Sequence, residues 1–92
     1  MTNREEIYEQ VVRFVADQLY MTPDEIDPDV KLAELGFDSL DAVEFAVAMD
    51  EPFGIEITDE EMWSGMFASM TTNDVVEYFL KRMADEIEKA KG

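Results

Sequence analysis

Gly36-Phe37-Asp38-Ser39-Leu40-Asp41 sets a turn, a helix cap and a serine side by side. Gly36 permits a tight turn, and Asp38 is a strong N-cap residue. Asp41 falls in the first turn, where a carboxylate suits the helix dipole. The spacing predicts a helix from Ser39 to about Glu51, with Leu40, Val43, Ala46 or Val47, and Met49 or Phe53 on its buried face. Asp41, Glu44 and Glu51 can stay wet. Pro52 removes a backbone donor and disfavours helix at Glu51, so the helix is expected to end or kink there. Ser39 takes the first helical position, where backbone amides can receive an anion. A hydroxyl there is well presented for modification, although Asp38-Ser39 before an apolar helix also serves as a plain cap.

Upstream, Ile7, Val11, Phe14 or Val15, and Leu19 recur at helical spacing and predict an amphipathic helix over about residues 3–20. Asn3 with Glu6 resembles a capping box. Thr22-Pro23-Asp24-Glu25 can start one helical turn, which Asp27-Pro28-Asp29 stops. Residues 21–37 thus read as a long, mostly irregular loop pinned by Val30, Leu32 and Leu35. A loop of this length in a small domain is usually functional.

Downstream, Gly54 permits a turn. Ile55-Glu56-Ile57 alternates like a strand but has no obvious partner, so it reads as extended loop. Thr58 and Glu61 form a capping box that opens a short helix, about residues 59–64. The methionines and phenylalanine of residues 64–70 suit packing better than free solvent. Thr71 or Thr72 caps a last helix of about residues 73–89, with Val75, Val76, Phe79, Leu80 and Met83 on its apolar face. The expected fold is all-α: a small bundle of three longer helices plus one short helix, with a long loop between the first two.

At 92 residues the chain should form one domain, residues 1–92, with a radius of gyration of about 12 Å. A core this small leaves little interior for a preformed catalytic cavity. Seven basic residues face 23 acidic ones, for a net charge of −16. Residues 32–80 hold no Lys or Arg at all, and twelve carboxylates. Nucleic acid is a poor partner, because binding it needs cations to displace condensed counterions. The complementary partner is a protein with a basic patch, steered by charge and weakened by salt.

There is no cysteine and no histidine, which removes disulfides, thiolate metal sites and a neutral-pH imidazole base. Asp27-Pro28-Asp29-Val30-Lys31 fails as a calcium loop, since Lys31 stands at a ligand position, and no metal site is expected. No apolar run approaches membrane-spanning length, and the first residues do not read as a signal peptide. A cytoplasmic protein without stable membrane insertion is expected.

The run Gly36-Phe37-Asp38-Ser39-Leu40-Asp41-Ala42-Val43-Glu44, followed by Met49-Asp50-Glu51-Pro52-Phe53-Gly54-Ile55-Glu56-Ile57, resembles the acyl carrier proteins. The likeness covers about residues 5–82, leaving 83–92 as a helical tail with a frayed end. It implies that Ser39 receives 4′-phosphopantetheine from coenzyme A through a phosphopantetheinyl transferase. The arm's thiol would carry an acyl chain as a thioester, and partner enzymes would perform the chemistry.

By position, Asp38, Asp41, Glu44, Asp50, Glu51 and Glu56 match the acidic surface that such carriers show to basic patches. Leu40 and Val43 would sit at its centre. Val43, Ala46, Val47, Met49, Ile57 and Met62 match positions enclosing an acyl-chain pocket, and plain core packing accounts for them equally well. The implied partners are acyl-loading, elongating or acyltransferase enzymes, met by a monomer that is not itself an enzyme.

Pro52, a longer segment over residues 62–73 with Trp63, Met66 and Phe67, and a tail ending Lys89-Ala90-Lys91-Gly92 depart from the common fatty-acid carriers. They are similar to specialised bacterial carriers for very-long-chain acyl transfer to lipid A. Carriers for polyketide, peptide-synthetase or aminoacyl chemistry remain open, as does an unmodified acidic adaptor.

Overall fold

The computed structural model describes residues 4–63 and 65–91, apart from the side chains of Glu51, Pro52, Phe53, Met62, Trp63, Ile87, Lys89, Ala90 and Lys91. The expectations for a cap at Asn3 and for the side chains of Glu51, Phe53 and Met62 lie outside these described residues. Among the described residues, four α-helices follow in order: α1 Arg4–Leu19, α2 Ser39–Phe53, α3 Asp59–Trp63 and α4 Thr72–Lys91. Three are long and one is short, as the patterning predicts. The Cα radius of gyration is 12.8 Å.

Helix α1 buries Ile7, Val11, Val12, Val15 and Ala16, a stripe that recurs at the helical period. Phe14 and Leu19 are half-buried at its edges. The helix stops at Tyr20, whose φ of 57° is left-handed. The Met21 amide then donates back to the Ala16 carbonyl at 2.8 Å, a closure usually built on glycine.

The loop after α1 is more ordered than its composition foretells. Pro23–Glu25 and Leu32–Leu35 each form a 3-10 turn. Ile26, Leu32 and Phe37 are buried, whereas Val30 and Leu35 are only half-buried. Main-chain bonds add to these side-chain anchors. The Leu32 amide donates to the Met70 carbonyl at 2.9 Å, and Ala33 to Ala68 at 2.8 Å. At the head of α4, the Asn73 amide donates to the Pro28 carbonyl at 3.2 Å, and its side chain to Asp29 Oδ1 at 2.9 Å. The loop is thereby stapled to the segment that leads into α4.

Helix α2 corrects the expected buried face. Ala42, Phe45, Ala46 and Met49 are buried, while Leu40 and Val47 are 60% and 61% exposed. Phe45 offers more apolar area than either, and burying it rotates the stripe toward the bundle centre. The helix also runs past Pro52 to Phe53. One residue before the end, proline forfeits one hydrogen bond without stopping the last turn. Gly54, at φ 62°, ends it and donates to the Asp50 carbonyl.

Beyond α2, Ile55 and Ile57 are buried and Glu56 is exposed, an alternation that serves an extended segment rather than a sheet. Glu61 accepts from the Thr58 hydroxyl at 3.0 Å and its own amide donates to Thr58 Oγ1 at 3.2 Å, closing the expected box around α3. Thr71, rather than Thr72, caps α4: the Asp74 amide and the Thr71 amide exchange bonds with the opposite side chains, both at 3.1 Å. Val75, Val76 and Phe79 bury the inner face of α4.

Candidate functional site

The turn ahead of α2 is fixed by backbone bonds that a Cβ-bearing residue would strain. Gly36 has a φ of 104°, and its amide donates to the Ala33 carbonyl at 3.1 Å. An added Cβ would meet only Leu19 Cδ2 at 4.0 Å, so the glycine answers to backbone conformation and not to space. Phe37, 1% exposed, anchors the turn in the core. The chain then leaves that anchor and starts a helix at the surface.

Asp38 caps the helix by accepting from the Asp41 amide at 2.9 Å, and the Asp38 amide donates to Asp41 Oδ2 at 3.0 Å. Both carboxylates are thereby engaged in a reciprocal box. Gln18, from the last turn of α1, donates to Asp41 Oδ1 at 2.8 Å and also to Glu44. Burial pushes the Asp41 carboxyl up, but the Asp38 amide and the Gln18 side chain outweigh it and hold it below the usual carboxylate range. Gln18 was not singled out by the sequence, because its partners lie 23 and 26 residues away.

Ser39 opens α2 and is exposed. The amides of the first helical turn have no intrahelical acceptor, and the positive end of the dipole lies there. A phosphodiester on Ser39 Oγ fits this setting: the hydroxyl is open, nearby amides suit an anion, and the carboxylates of Asp38 and Asp41 are held by the cap. Leu40, next in sequence, projects into solvent. Asp38, Glu44, Asp50 and Glu56 are exposed and Asp41 is half-buried.

Of the residues matched to an acyl pocket, Ala46, Met49 and Ile57 are buried and Val43 is half-buried. Val47 is a correction. At 61% exposure it faces outward with Leu40, one heptad away on the same side of α2.

A second polar group, which the sequence analysis did not single out, joins α3 to α4. Arg82 donates to Glu61 Oε2 at 3.0 Å and to the Glu56 carbonyl at 2.6 Å. The Tyr78 hydroxyl donates to the same Glu61 carboxylate, and the Arg82 guanidinium lies 5.6 Å from the Tyr78 ring centre. The Tyr78 bond draws the Glu61 carboxyl downward despite partial burial. Burial, with that same bond, pushes the Tyr78 phenol up to about 12. Tyr78 and Arg82 stand one turn apart on α4, which was the available signal. Their acidic partner is 17 and 21 residues away.

With this geometry in view, comparison with known proteins defines the class. The phosphopantetheine attachment site family matches residues 9–79. An acyl carrier protein of Thermosynechococcus vestitus is 41% identical over 83 residues, covering 89% of this chain and 98% of the relative. One from Wolinella succinogenes is 41% identical over 73 residues, 78% of this chain and 91% of the relative. One from Campylobacter hominis is 49% identical over 57 residues, 61% of this chain and 72% of the relative. The chain belongs to the acyl carrier protein family. It is a carrier rather than an enzyme, of a family that bears 4′-phosphopantetheine covalently. Among the described residues, no helix is long and apolar enough to cross a membrane.

Proposed function

We propose that Ser39 is the attachment point of 4′-phosphopantetheine, and that the protein delivers acyl groups to enzymes of fatty-acid or specialised lipid biosynthesis. The observation that carries this reading is an exposed serine at the first position of α2, inside the segment matched to the attachment-site family. In the loading reaction, Ser39 Oγ would attack the phosphate of coenzyme A's pyrophosphate that bears pantetheine. An Oγ–P bond forms, the P–O bond to the adenosine bisphosphate breaks, and the hydroxyl proton passes to a base on the transferase. When bound, the group supplies a thiol that holds an acyl chain as a thioester. The chain's own residues present that arm: Gly36 and Phe37 fix the turn, and the Asp38–Asp41 box holds the helix start.

The partners are a phosphopantetheinyl transferase and acyl-handling enzymes with basic patches. Exposed Asp38, Glu44, Asp50 and Glu56, with Asp41 and Glu51, would guide them to α2 by charge. Leu40 and Val43 would add the apolar contact at the centre, and Val43, Ala46, Met49, Ile57 and Met62 would shelter the first part of the chain. Such a carrier works as a monomer in the cytoplasm.

The test is incubation with coenzyme A, Mg²⁺ and a broad-specificity transferase, read by intact mass. The expected result is the gain of one phosphopantetheine, abolished in Ser39→Ala. A wild-type protein that stays unmodified, or a Ser39→Ala variant that still gains the mass, overturns the assignment.

A further inference from the structure

A side-chain amide of α1 lies between two carboxylates of α2. Gln18 Nε2 donates to Asp41 Oδ1 at 2.8 Å and to Glu44 Oε2. Both acceptors are ionised oxygens with no proton to give, so the NH2 end of the amide must face them. Its two N–H groups allow one bond to each acid at the same time. Asp41 and Glu44 stand three residues apart on α2 and are therefore neighbours on its surface. Left alone, two like charges at this spacing push their side chains apart. The shared donor opposes that repulsion.

The amide has a rigid base. Val15 and Ala16, just before Gln18, are buried in the core, and the Met21 amide closes the end of α1 on the Ala16 carbonyl at 2.8 Å. Gln18 is itself half-buried. The two acids gain unequally from its contact. Asp41 is half-buried, and its other oxygen accepts from the Asp38 amide at 3.0 Å, so it is held twice. Glu44 is exposed, and its longer side chain would otherwise sample many rotamers. An ionised carboxylate offers about four acceptor sites, so each acid keeps room for a cation while the amide holds it.

We propose that Gln18 is a positioning residue for docking. It sets Asp41 and Glu44 side by side, so that a basic side chain of the phosphopantetheinyl transferase meets a ready-made pair of carboxylates on the helix that Ser39 opens. The proposal rests on the reading of Ser39 as the attachment point. Gln18 acts through the two acids and not through a contact of its own with the partner. It removes rotamer freedom that Glu44 would otherwise lose at the moment of docking.

The experiment follows transferase loading of the full chain with coenzyme A and Mg²⁺, read by intact mass over a range of carrier concentrations and well below the Tm of every variant. Gln18→Met keeps the side chain's length and the net charge but loses the donor. Its KM for the carrier should rise by about three- to tenfold with kcat unchanged. Gln10→Met, the same exchange at an exposed position earlier in α1, should leave KM where it is. Glu44→Gln should raise KM by itself, and adding Gln18→Met to it should then raise KM by less than in the wild-type background.

A Gln18→Met KM equal to that of the wild type, with or without a fall in Tm, overturns the proposal and leaves Gln18 as a plain tie between helices. A fall in kcat alone also overturns it, because the effect would then lie at Ser39 and not in docking. Additive KM effects of Gln18→Met and Glu44→Gln overturn it as well, since Gln18 would then meet the partner directly. Wild-type protein that gains no phosphopantetheine at any concentration overturns the Ser39 reading, and this inference falls with it.

Discussion

Tyr20 is 98% exposed and holds a left-handed backbone, φ 57°, at the end of α1. For a residue with a Cβ this conformation costs about 1–2 kcal/mol, which glycine escapes. The side chain returns nothing through burial. Tyr20→Gly should therefore stabilise the fold by up to about 1 kcal/mol, after the glycine's greater unfolded-state entropy is deducted. A denaturant melt showing lower stability for Tyr20→Gly would contradict this, whereas Tyr20→Val should be the least stable of the three. Thr72 presents the opposite case. It is fully buried, and its hydroxyl finds no hydrogen-bond partner among the described residues. Leaving such a group unpaired costs about 1–3 kcal/mol. Thr72→Val keeps the shape and removes the orphaned oxygen, so Tm should rise, by roughly 4–8 °C per kcal/mol gained. A fall in Tm would mean the hydroxyl has a use the fold depends on. Neither effect was legible in the sequence: Tyr20 carries no mark of its backbone angle, and Thr71 and Thr72 look equally fit to cap until Asp74 chooses between them.

At the scale of elements, most of the helices were legible because apolar spacing and caps agreed. Ile7, Val11 and Val15 mark α1, the Thr58–Glu61 box marks α3, and Asp38 marks the start of α2. The rotation of α2 was not legible. Leu40 and Val47 fit a helical stripe as well as Phe45 does, and only the rings that converge on Phe45 from distant elements decide which stripe turns inward. The tie between α3 and α4 was hidden for the same reason, since Glu61, Tyr78 and Arg82 meet only in the folded chain. It has a measurable titration. The Tyr78 phenol is pushed up to about 12, so its neutral form is favoured in the fold. A raised pKa of this kind contributes stability that is complete below the unfolded value, about 10, and that is lost as pH climbs through about 12. Absorbance at the tyrosinate band should thus show one of the three tyrosines ionising last, near 12. Glu61→Gln removes the negative acceptor, and that last step should move down. If Tyr78→Phe leaves the late step in place, the assignment is wrong.

The whole molecule is governed by its charge. A net charge of −16 sits on 92 residues, and residues 32–80 carry twelve carboxylates without one Lys or Arg. Among the described residues, Arg4 pairs with Glu77, and Arg82 with Glu61. Both pairs involve α4, so neither engages the exposed carboxylates of α2. Asp38, Glu44 and Asp50, at the start of α2 and along it, keep their carboxylates exposed. Folding brings these charges closer than the open chain would, and self-repulsion subtracts from a core that is small to begin with. The Debye length shrinks from about 30 Å at 0.01 M salt to about 10 Å at 0.1 M, which screens most of the long-range part. Tm should accordingly rise as salt increases over that interval. Asp50→Asn, an exposed carboxylate with no role in the helix cap, should raise Tm at low salt and lose most of that advantage at high salt. A salt-independent Tm, or an Asp50→Asn gain that does not shrink with added salt, would show that the acidic surface does not strain the fold. A basic partner that covers these carboxylates would relieve the same repulsion, and salt screens that attraction too, so transferase loading should slow in the salt range where Tm rises. On the proposed function, docking and folding are tied together: the carboxylates that burden the free carrier are those that would draw its partners in.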